Sequence, residues 1–405
     1  MEDSNLVPPA DSRPTYLFVI DSIGAGGAER SLVELVPAVA ARGRNPIVVC
    51  LRSRDVGFED DMRASGVDLR FLSASGLVGK VRELRHIAED EAPALVYSSL
   101  FEASLVTRLA TVRMGVPVMV NLANTSYDPV RRLDPNISWW RFRLVQEVDG
   151  FLSRHFTDHF HAVSQAVKDS AVASLRIPPA KITVVHRGRD PERIGQRTLE
   201  RRKRVREALG IDDDAPVLVT VGRQEFQKGH RYLIEAMPKV LERYPRTRLL
   251  IAGRQGAATF ELESAVAELR VSNSVTLLGH RPDVTDLMAA ADLFVFPSLF
   301  EGLGGALIEA LALGLPIVAS DIPPVREVVG DDPVGDLVPP RNPAALADAL
   351  TALLDEPERQ RSYAEAGRLR FQRMFLAEDA TARLVDLLDE VAGLAPGRSA
   401  QSRSG

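Results

Sequence analysis

The sequence predicts an α/β protein built from two doubly wound parallel sheets. Three observations lead to this prediction: the chain has 405 residues, short apolar runs alternate with longer helix-forming segments, and the alternation starts again near residue 216. A chain of this length exceeds one ordinary hydrophobic core, and regular strand–helix alternation is typical of parallel sheets. Because open α/β sheets bind ligands at the carboxyl ends of their strands, we expect a ligand between two domains.

Each half opens with a strand, a glycine-bearing loop and a helix. In the first half, strand 16–20 precedes the loop Gly24-Ala-Gly-Gly-Ala-Glu29 and a helix from residue 30 toward 41. In the second half, strand 217–221 precedes the loop Gly222-Arg-Gln-Glu-Phe-Gln-Lys-Gly229 and a helix from residue 232 to about 244. The other predicted strands lie at 46–51, 95–98, 116–122, 159–163, 248–252, 275–278, 293–296 and 317–319.

We place the boundary between the halves within residues 188–212 and divide the chain at residue 195. The first domain is then 15–195, the second is 196–376, and a terminal helix follows at 377–392. Two tails, 1–14 and 393–405, are polar and rich in Pro, Gly or Ser, which predicts disorder. The basic run at 200–206 is interpreted as a solvated helix face, with an anionic-surface patch as the alternative.

Composition and charge exclude several classes of protein. The formal net charge of −5 argues against a dedicated nucleic-acid binder, which would carry a basic face. Cys50 is the single cysteine, so the sequence provides neither an internal disulfide nor a cysteine-based zinc site. The first fifteen residues do not resemble a secretory signal, and no apolar stretch approaches the ~20 residues that span a bilayer. We therefore expect a cytoplasmic protein.

One glycine-rich segment late in the chain carries most of the information about function. The apolar run at 293–296 predicts a buried parallel strand, and Gly302, Gly304 and Gly305 form a loop in which backbone can approach a ligand. A helix is predicted to follow at 306–313. A glycine loop that opens a helix presents N–H groups and the positive end of the helix dipole, which suits a phosphate.

Charged side chains surround this loop and a second one. Glu301 precedes the glycine loop, and Glu309 lies about one turn inside the helix, on the face directed back toward the loop. Carboxylates do not suit a phosphate, but they offer strong acceptors to sugar hydroxyls. Arg223 and Lys228 flank the loop after strand 217–221, and an arginine with a lysine is the usual pair for a diphosphate. The order of these groups within one domain is more informative than any of them alone.

These motifs resemble the GT-B retaining glycosyltransferases of family four (glycosyl transferases group 1), over about residues 16–390. The resemblance is carried by Gly26-Gly-Ala-Glu29, Ala162-Val-Ser164, Val221-Gly-Arg-Gln-Glu-Phe-Gln-Lys-Gly229 and Phe296-Pro-Ser-Leu-Phe-Glu-Gly-Leu-Gly-Gly-Ala-Leu-Ile-Glu309. It implies the GT-B fold, in which two Rossmann-like domains face each other across an interdomain cleft. The acceptor then belongs to the first domain and the nucleotide sugar to the second, and helix 377–392 crosses back onto the first domain.

The resemblance also assigns roles to particular residues. It implies that Arg223 and Lys228 bind the donor diphosphate and stabilise it as a leaving group. Glu301 would lie against the transferred sugar, and Glu309 would accept hydrogen bonds from the ribose hydroxyls. The remaining implied donor contacts are made by backbone groups, at Gly26, Gly27, Leu303, Gly304 and Gly305.

The reaction implied by the resemblance is transfer of a hexosyl unit from a UDP- or GDP-type sugar to a hydroxyl acceptor, with retention at the anomeric carbon. The acceptor is a glycan, a lipid-linked molecule or a small molecule. Cations and a helix N-terminus at the diphosphate would stabilise the negative charge that grows there in the transition state. No cofactor and no metal ligand is predicted, since no Asp-rich motif indicates a magnesium site.

One position departs from the family pattern. Many members place a histidine after the strand that corresponds to 116–122, whereas this chain has Ala123-Asn124-Thr125. The Asn124 amide can hydrogen-bond a sugar hydroxyl, but it carries no charge. We predict that Asn124 contacts the sugar or the acceptor, and a histidine-assisted step is in doubt.

Two other functional classes stay open at this point. One is a nucleotide-sugar-binding protein without transferase activity, and the other is a GT-B epimerase or phosphorylase. A dehydrogenase is disfavoured, because Glu29 replaces the third glycine of the dinucleotide fingerprint and no clear ribose-binding acid follows.

Two clusters have a structural and a functional interpretation. His155, His159 and His161 are interpreted as structural or surface-exposed, because nothing identifies the third ligand that a metal would need. Trp139 and Trp140 lie among four arginines and indicate either helix packing or peripheral contact with an anionic membrane.

Overall fold

The computed structural model describes residues 13–24, 26–54 and 57–394. The chain divides into two compact units, each built around one parallel sheet. The first unit contains residues up to 123, 141–187 and those from 378 on, and the second contains 124–140 and 188–377. The chain enters the second unit at 188, at the start of the predicted window of 188–212, and segment 124–140 groups with the second unit.

Backbone pairing explains the earlier boundary. The N–H of Arg189 donates to the carbonyl of Phe375 over 2.8 Å, and the N–H of Ala377 donates to the carbonyl of Arg189 over 3.1 Å. A side chain at Gly188 would collide with this neighbouring stretch, since a Cβ there would lie 2.4 Å from the Leu376 carbonyl oxygen. The chain just after residue 187 is therefore held by residues 375–377.

The first unit contains a seven-stranded parallel sheet in the order β3-β2-β1-β4-β5-β6-β7. Its strands are β1 Thr15–Ile20, β2 Asn45–Cys50, β3 Asp68–Phe71, β4 Leu95–Ser99, β5 Val118–Leu122, β6 His159–Ala162 and β7 Ile182–Val184. Its helices are α1 Gly27–Ala41, α2 Glu59–Ala64, α3 Gly76–Glu91, α4 Phe101–Ala110, α5 Trp139–His155 (whose first two residues group with the second unit), α6 Gln165–Leu175 and, at the end of the chain, α16 Ala377–Val391.

The second unit contains a six-stranded parallel sheet in the order β10-β9-β8-β11-β12-β13. Its strands are β8 Val217–Val221, β9 Arg248–Ala252, β10 Val275–Gly279, β11 Leu293–Phe296, β12 Ile317–Ser320 and β13 Gly335–Val338. Its helices are α7 Pro191–Ile194, α8 Leu199–Ala208, α9 His230–Arg243, α10 Thr259–Glu268, α11 Val284–Ala290, α12 Gly305–Leu313, α13 Pro323–Val329, α14 Pro343–Asp355 and α15 Pro357–Met374.

Both sheets are doubly wound, which confirms the predicted fold class. Each runs outward from its first strand, in one direction to the second and third strands and in the other to the fourth and later ones. The strand order therefore reverses between β1 and β4 in the first sheet and between β8 and β11 in the second. Such reversal points are where open α/β sheets bind ligands, outside the carboxyl ends of the strands.

Every strand that the sequence predicts is present, with ends that shift by two residues or fewer. The sequence does not predict β3, β7 and β13, and each of these strands lies at an edge of its sheet. Edge strands bury less surface than central ones, and these three contain many half-buried residues. Their apolar patterns are therefore short and weak.

The last helix of the chain packs into the core of the first unit. Leu384, Val385, Leu387 and Leu388 of α16 are buried with residues of β1 and α1. Asp389, on the same helix, is fully buried and accepts a hydrogen bond from the Tyr16 hydroxyl at 2.5 Å, together with two from Arg44 at 3.1 Å each. Burial and the bond to Asp389 raise the pKa of the Tyr16 phenol.

The basic run at 200–206 is only in part a solvated face, so its interpretation as one was wrong for the inner residues. Arg206 is fully buried and donates to the carbonyls of Ala215 and Ala290, over 2.8 Å and 3.0 Å, and to the Asp292 carboxylate over 2.8 Å. Burial lowers the pKa of its guanidinium. Lys203 and Arg204 do face solvent. The charge run in the sequence does not indicate that Arg206 joins α8 to the neighbouring loops through hydrogen bonds.

The predicted disordered tails lie outside the described residues, apart from 13–14 and 393–394. Across the described ranges, no helix combines the length and the apolar character that crossing a bilayer requires.

Candidate active site

Two loops meet at the reversal point of the second sheet. They follow the adjacent parallel strands β8 and β11 and contain most of the predicted site residues. The N–H of Leu299 donates to the carbonyl of Gln227 over 2.8 Å, which joins the loops directly. Gly229 adopts φ +61°, and a Cβ there would lie 2.1 Å from the Pro297 carbonyl oxygen. A glycine is required at this point, because both the conformation and the close approach exclude a side chain.

Lys228 and Glu301 contact each other across these loops. The Lys228 ammonium donates from Nζ to Oε1 of Glu301 over 2.5 Å. The Glu301 residue is buried, and its backbone neighbour Phe300 accepts a hydrogen bond from the Gln227 amide over 2.9 Å. The structure therefore brings together the cation predicted for the diphosphate and the carboxylate predicted for the sugar.

Arg223 lies at the carboxyl end of β8, on the same loop as Lys228. Its side chain is exposed, and among the described residues its guanidinium has neither a salt bridge nor a hydrogen bond. A guanidinium in this state offers five donors in a planar fork. The position suits an incoming phosphate oxygen.

The glycine loop leads into α12 as predicted. Gly304 is the residue before the helix, with φ +81°, and Gly305 is the first helical residue. No side chain caps this helix start, and the neighbouring Leu303 is buried. The first N–H groups of a helix lack intrahelical acceptors and carry a partial positive charge. Backbone at Leu303, Gly304 and Gly305 can therefore meet an anion or a sugar hydroxyl.

Arg189 is a site residue that sequence reasoning missed. Its Nε donates to Oε1 of Glu309 over 2.9 Å, and both residues are buried. The two residues are 120 positions apart, and an arginine in a loop after β7 gives no sign of its partner. The sequence shows only the dipeptide Gly188-Arg189 near the predicted domain boundary. This dipeptide does not indicate a binding residue unless the fold is known.

The segment after β5 reaches the Glu301 loop. The Thr125 hydroxyl donates to the Glu301 carbonyl over 3.2 Å, and the Thr125 N–H donates to Oδ1 of Asn124 over 2.8 Å. The Arg131 guanidinium lies 5.4 Å from the centre of the Phe300 ring. Asn124 is half-buried, and its neighbour Thr125 makes the direct contact with the loop that contains Glu301.

The two glycines predicted from the first half lie at the carboxyl end of β1. Gly26 precedes α1, and a Cβ there would lie 2.3 Å from Oε2 of Glu29. Gly27 is exposed, and a Cβ there would lie 3.4 Å from Nη1 of Arg187. Backbone contact of Gly26 and Gly27 with a nucleotide sugar stays a prediction.

Two of the three clustered histidines form hydrogen bonds within their own sheet, and the third, His155, is exposed. His161 is buried; its Nε2 bonds the Val185 carbonyl over 2.9 Å, and its Nδ1 meets the Tyr97 hydroxyl over 2.9 Å. Burial lowers the pKa of His161 to about 4. His159 bonds the Thr183 hydroxyl over 2.8 Å. Within the described residues there is no cluster of three His, Cys, Asp or Glu side chains that could hold a metal ion.

The tryptophan pair opens an apolar helix face. Trp140 is 66% exposed, and the Arg132 guanidinium lies 4.2 Å from the centre of the Trp139 ring. Further exposed apolar residues follow on the same helix, Leu144, Val145, Val148 and Phe151. The tryptophans are therefore not packed into a core.

Comparison with known proteins identifies the class to which this fold and site belong. The family model "Glycosyltransferase Family 4" matches residues 25–193, and the model "Glycosyl transferases group 1" matches residues 201–370. The chain therefore belongs to the family-four, group 1 glycosyltransferases.

Individual relatives agree with this assignment. An uncharacterized glycosyltransferase of Methanocaldococcus jannaschii is 32% identical over 209 residues, which are 51% of this chain and 53% of that protein. The alpha-D-kanosaminyltransferase of Streptomyces kanamyceticus is 27% identical over 257 residues, 62% of this chain and 65% of that one. The chain thus covers between half and two thirds of these curated relatives.

A solved structure shares the fold. The Anabaena protein HepE, crystallised in complex with UDP-glucose, superposes with a TM-score of 0.81 at 21% sequence identity. The match covers 93% of this chain and 99% of HepE. At this level of identity the likeness establishes the GT-B fold.

Proposed function

We propose that the protein transfers a hexosyl unit from a UDP- or GDP-type sugar to a hydroxyl acceptor, with retention and without a metal ion. The observation that carries this proposal is the contact between Lys228 and Glu301, beside the exposed guanidinium of Arg223. Lys228 suits a phosphate and Glu301 suits sugar hydroxyls. Their contact matches a donor in which the diphosphate is bonded directly to the sugar.

The arrangement suits stabilisation of a leaving diphosphate. Arg223 and Lys228 lie on the loop after β8, and α12 begins after the glycine loop. All three supply positive charge, and all belong to the second unit. Negative charge grows on the diphosphate as the bond to the sugar breaks, and fixed positive groups lower the energy of that state. Glu309 accepts from the ribose, and Glu301 from the transferred sugar.

The relatives support a nucleotide-sugar donor. HepE was crystallised with UDP-glucose, and the Streptomyces kanamyceticus relative is named for transfer of a kanosaminyl group. We infer that this chain uses a donor of the same chemical class. We also propose that the protein acts in the cytoplasm.

We propose that Asn124 contacts the sugar or the acceptor. The hydrogen bond from Thr125 to the Glu301 carbonyl ties its loop to the sugar-side carboxylate. Asn124→Ala should leave donor affinity unchanged and lower turnover with an acceptor. Unchanged turnover in Asn124→Ala would contradict this role.

Peripheral membrane contact is proposed for the exposed face of α5. Trp140, Leu144, Val148 and Phe151 recur at helical spacing, and Arg141 and Arg143 are exposed beside them. Aromatic and aliphatic side chains flanked by arginines are typical of helices that lie on anionic bilayers. Co-sedimentation with phosphatidylglycerol vesicles but not with phosphatidylcholine vesicles is the expected result, and Leu144→Glu should abolish it. Absence of binding to either vesicle would contradict the proposal.

The test of the reaction uses purified protein with EDTA, a panel of UDP- and GDP-hexoses and a set of simple glycoside acceptors. The expected result is release of one nucleoside diphosphate together with a product whose anomeric proton shows the donor's configuration by NMR. Conversion of the nucleotide sugar without any acceptor would indicate an epimerase, and phosphate-dependent sugar release would indicate a phosphorylase. Binding of the donor without turnover would favour a nucleotide-sugar-binding protein.

A further inference from the structure

The Arg189 guanidinium is fixed by three neighbours within the second unit. Its Nε donates to Oε1 of Glu309 over 2.9 Å, and its Nη1 donates to the Gly188 carbonyl over 2.9 Å. Its Nη2 lies against Gly305, because a Cβ built on that glycine would be only 2.0 Å away. The guanidinium therefore lies between the start of α12 and the carboxylate one turn further along that helix.

The backbone of Arg189 is fixed as well. Its N–H and its carbonyl both pair with the stretch 375–377, over 2.8 Å and 3.1 Å. The side chain is 5% exposed and has little room for other rotamers. An arginine held at both ends gives up little further conformational entropy when a ligand arrives. This pair is thus preorganised.

The chemistry of a carboxylate explains what such a fixed arginine would do for Glu309. An ionised carboxylate has about four acceptor positions on its two oxygens. One of them accepts from Arg189, and this bond helps to orient the group. A carboxylate fixed in this way can accept from two vicinal hydroxyls at once, which a freely rotating one does less well because it must first be ordered.

We propose that Arg189 is a positioning residue that, through Glu309, makes the site select ribonucleotides over 2′-deoxyribonucleotides. The inference rests on the proposed function, since it takes Glu309 as the acceptor for the ribose hydroxyls. It narrows the donor to nucleotides that carry both the 2′- and the 3′-hydroxyl, as UDP and GDP do. Deoxythymidine-type donors are disfavoured.

The preference follows from the cost of an unsatisfied buried acceptor. A 2′-deoxyribose leaves one acceptor position of a buried, oriented carboxylate without its donor, and water has little access to replace it. The expected penalty is about tenfold to a hundredfold in dissociation constant. Without Arg189 the carboxylate loses one of the bonds that orient it, and part of the penalty disappears.

The test measures binding of UDP and 2′-deoxy-UDP, and of GDP and 2′-deoxy-GDP, by calorimetry with the full chain. The quantity of interest is the ratio of deoxy to ribo dissociation constants. We expect a ratio of about ten or more in the wild type, a ratio near one in Glu309→Gln, and a ratio clearly below the wild-type value in Arg189→Met. A purely structural role of Arg189 would weaken both nucleotides equally and leave the ratio unchanged.

A second variant keeps the test independent of folding defects. Gly305→Ala retains every charged group, but its methyl would occupy the place of Nη2, so the end of the Arg189 side chain must shift. This variant should also lower the ratio. The matched control is Arg246→Met, which removes an exposed arginine that pairs with Asp214 and lies just before β9, at the end of the sheet where the strands begin. It should bind like the wild type.

The outcomes separate this inference from the function on which it rests. If no nucleoside diphosphate binds the wild type, the donor site itself is refuted and the inference falls with it. If the wild type binds but shows no preference for ribose, or if Arg189→Met and Gly305→Ala keep the wild-type ratio, the role of Arg189 is refuted while the proposed donor site stands.

Discussion

Lys228 donates from Nζ to Oε1 of Glu301 over 2.5 Å, although the two residues are 73 positions apart. The pair joins the loops that follow β8 and β11, the two strands between which the order of the second sheet reverses. Each residue was predicted to contact a different part of one donor molecule. Under the proposed function, their contact lies where the diphosphate joins its sugar.

Removing the lysine should destabilise the second unit as well as weaken nucleotide binding. Lys228→Met leaves the buried Glu301 carboxylate without its cation, which should cost about 3 kcal/mol of unfolding free energy. The double variant Lys228→Met with Glu301→Gln should recover part of that loss, because the uncompensated charge is gone. Urea unfolding measures both effects. Lys239→Met, which breaks an exposed pair with Asp348, is the control and should cost less than about 1 kcal/mol. Equal stability of Lys228→Met and wild type would contradict this account.

Loss of the Asp389 carboxylate should destabilise the first unit. Asp389→Ala leaves the buried Tyr16 hydroxyl and the Arg44 guanidinium without their common acceptor, at an expected cost of about 3 kcal/mol. Asp386→Ala removes an exposed ion pair with Arg42 from the same helix, and should change stability by less than about 1 kcal/mol. Urea unfolding followed by circular dichroism compares the two variants. If they behave alike, α16 does not contribute to the core through Asp389.

His161 should make the first unit less stable in acid. Its pKa is lowered by burial from 6.5 to about 4, so the unfolded chain binds a proton that the folded protein rejects. The contribution of His161 to the free energy of unfolding is fully present above pH 6.5. It falls as the pH drops from 6.5 toward 4, and it does not change further below pH 4. Between pH 7 and pH 5 the wild type should lose about 2 kcal/mol more than His161→Gln. Urea unfolding at the two pH values measures this difference, and His86→Gln, an exposed histidine, should match the wild type.

The predictable part of the molecule is the part governed by local patterns. Buried central strands such as β8 and β11 have continuous apolar runs. The glycines before α12 indicate a loop that opens a helix. The edge strands β3, β7 and β13 lack such runs and were missed. Site residues inside motifs, such as Lys228 and Glu301, could be named because the motif places them at strand ends.

What could not be predicted depends on contacts between distant segments. Arg189 meets Glu309 only because residues 375–377 hold its backbone beside α12. Arg206 is buried only because α8 packs beside the carbonyl of Ala290. In sequence both arginines look like ordinary surface charges, and no propensity or spacing rule distinguishes them from Arg204. The tertiary structure determines which partners a long side chain contacts.

The central claim is that the loops after β8 and β11 form the site of a nucleotide diphosphate. Calorimetric titration of UDP and GDP in EDTA, with the wild type, Arg223→Met and Arg246→Met, tests it most directly. We expect one of the two nucleotides to bind the wild type and Arg246→Met alike, and to bind Arg223→Met at least about tenfold more weakly. Failure of both nucleotides to bind the wild type, or equal binding by Arg223→Met, would contradict the claim.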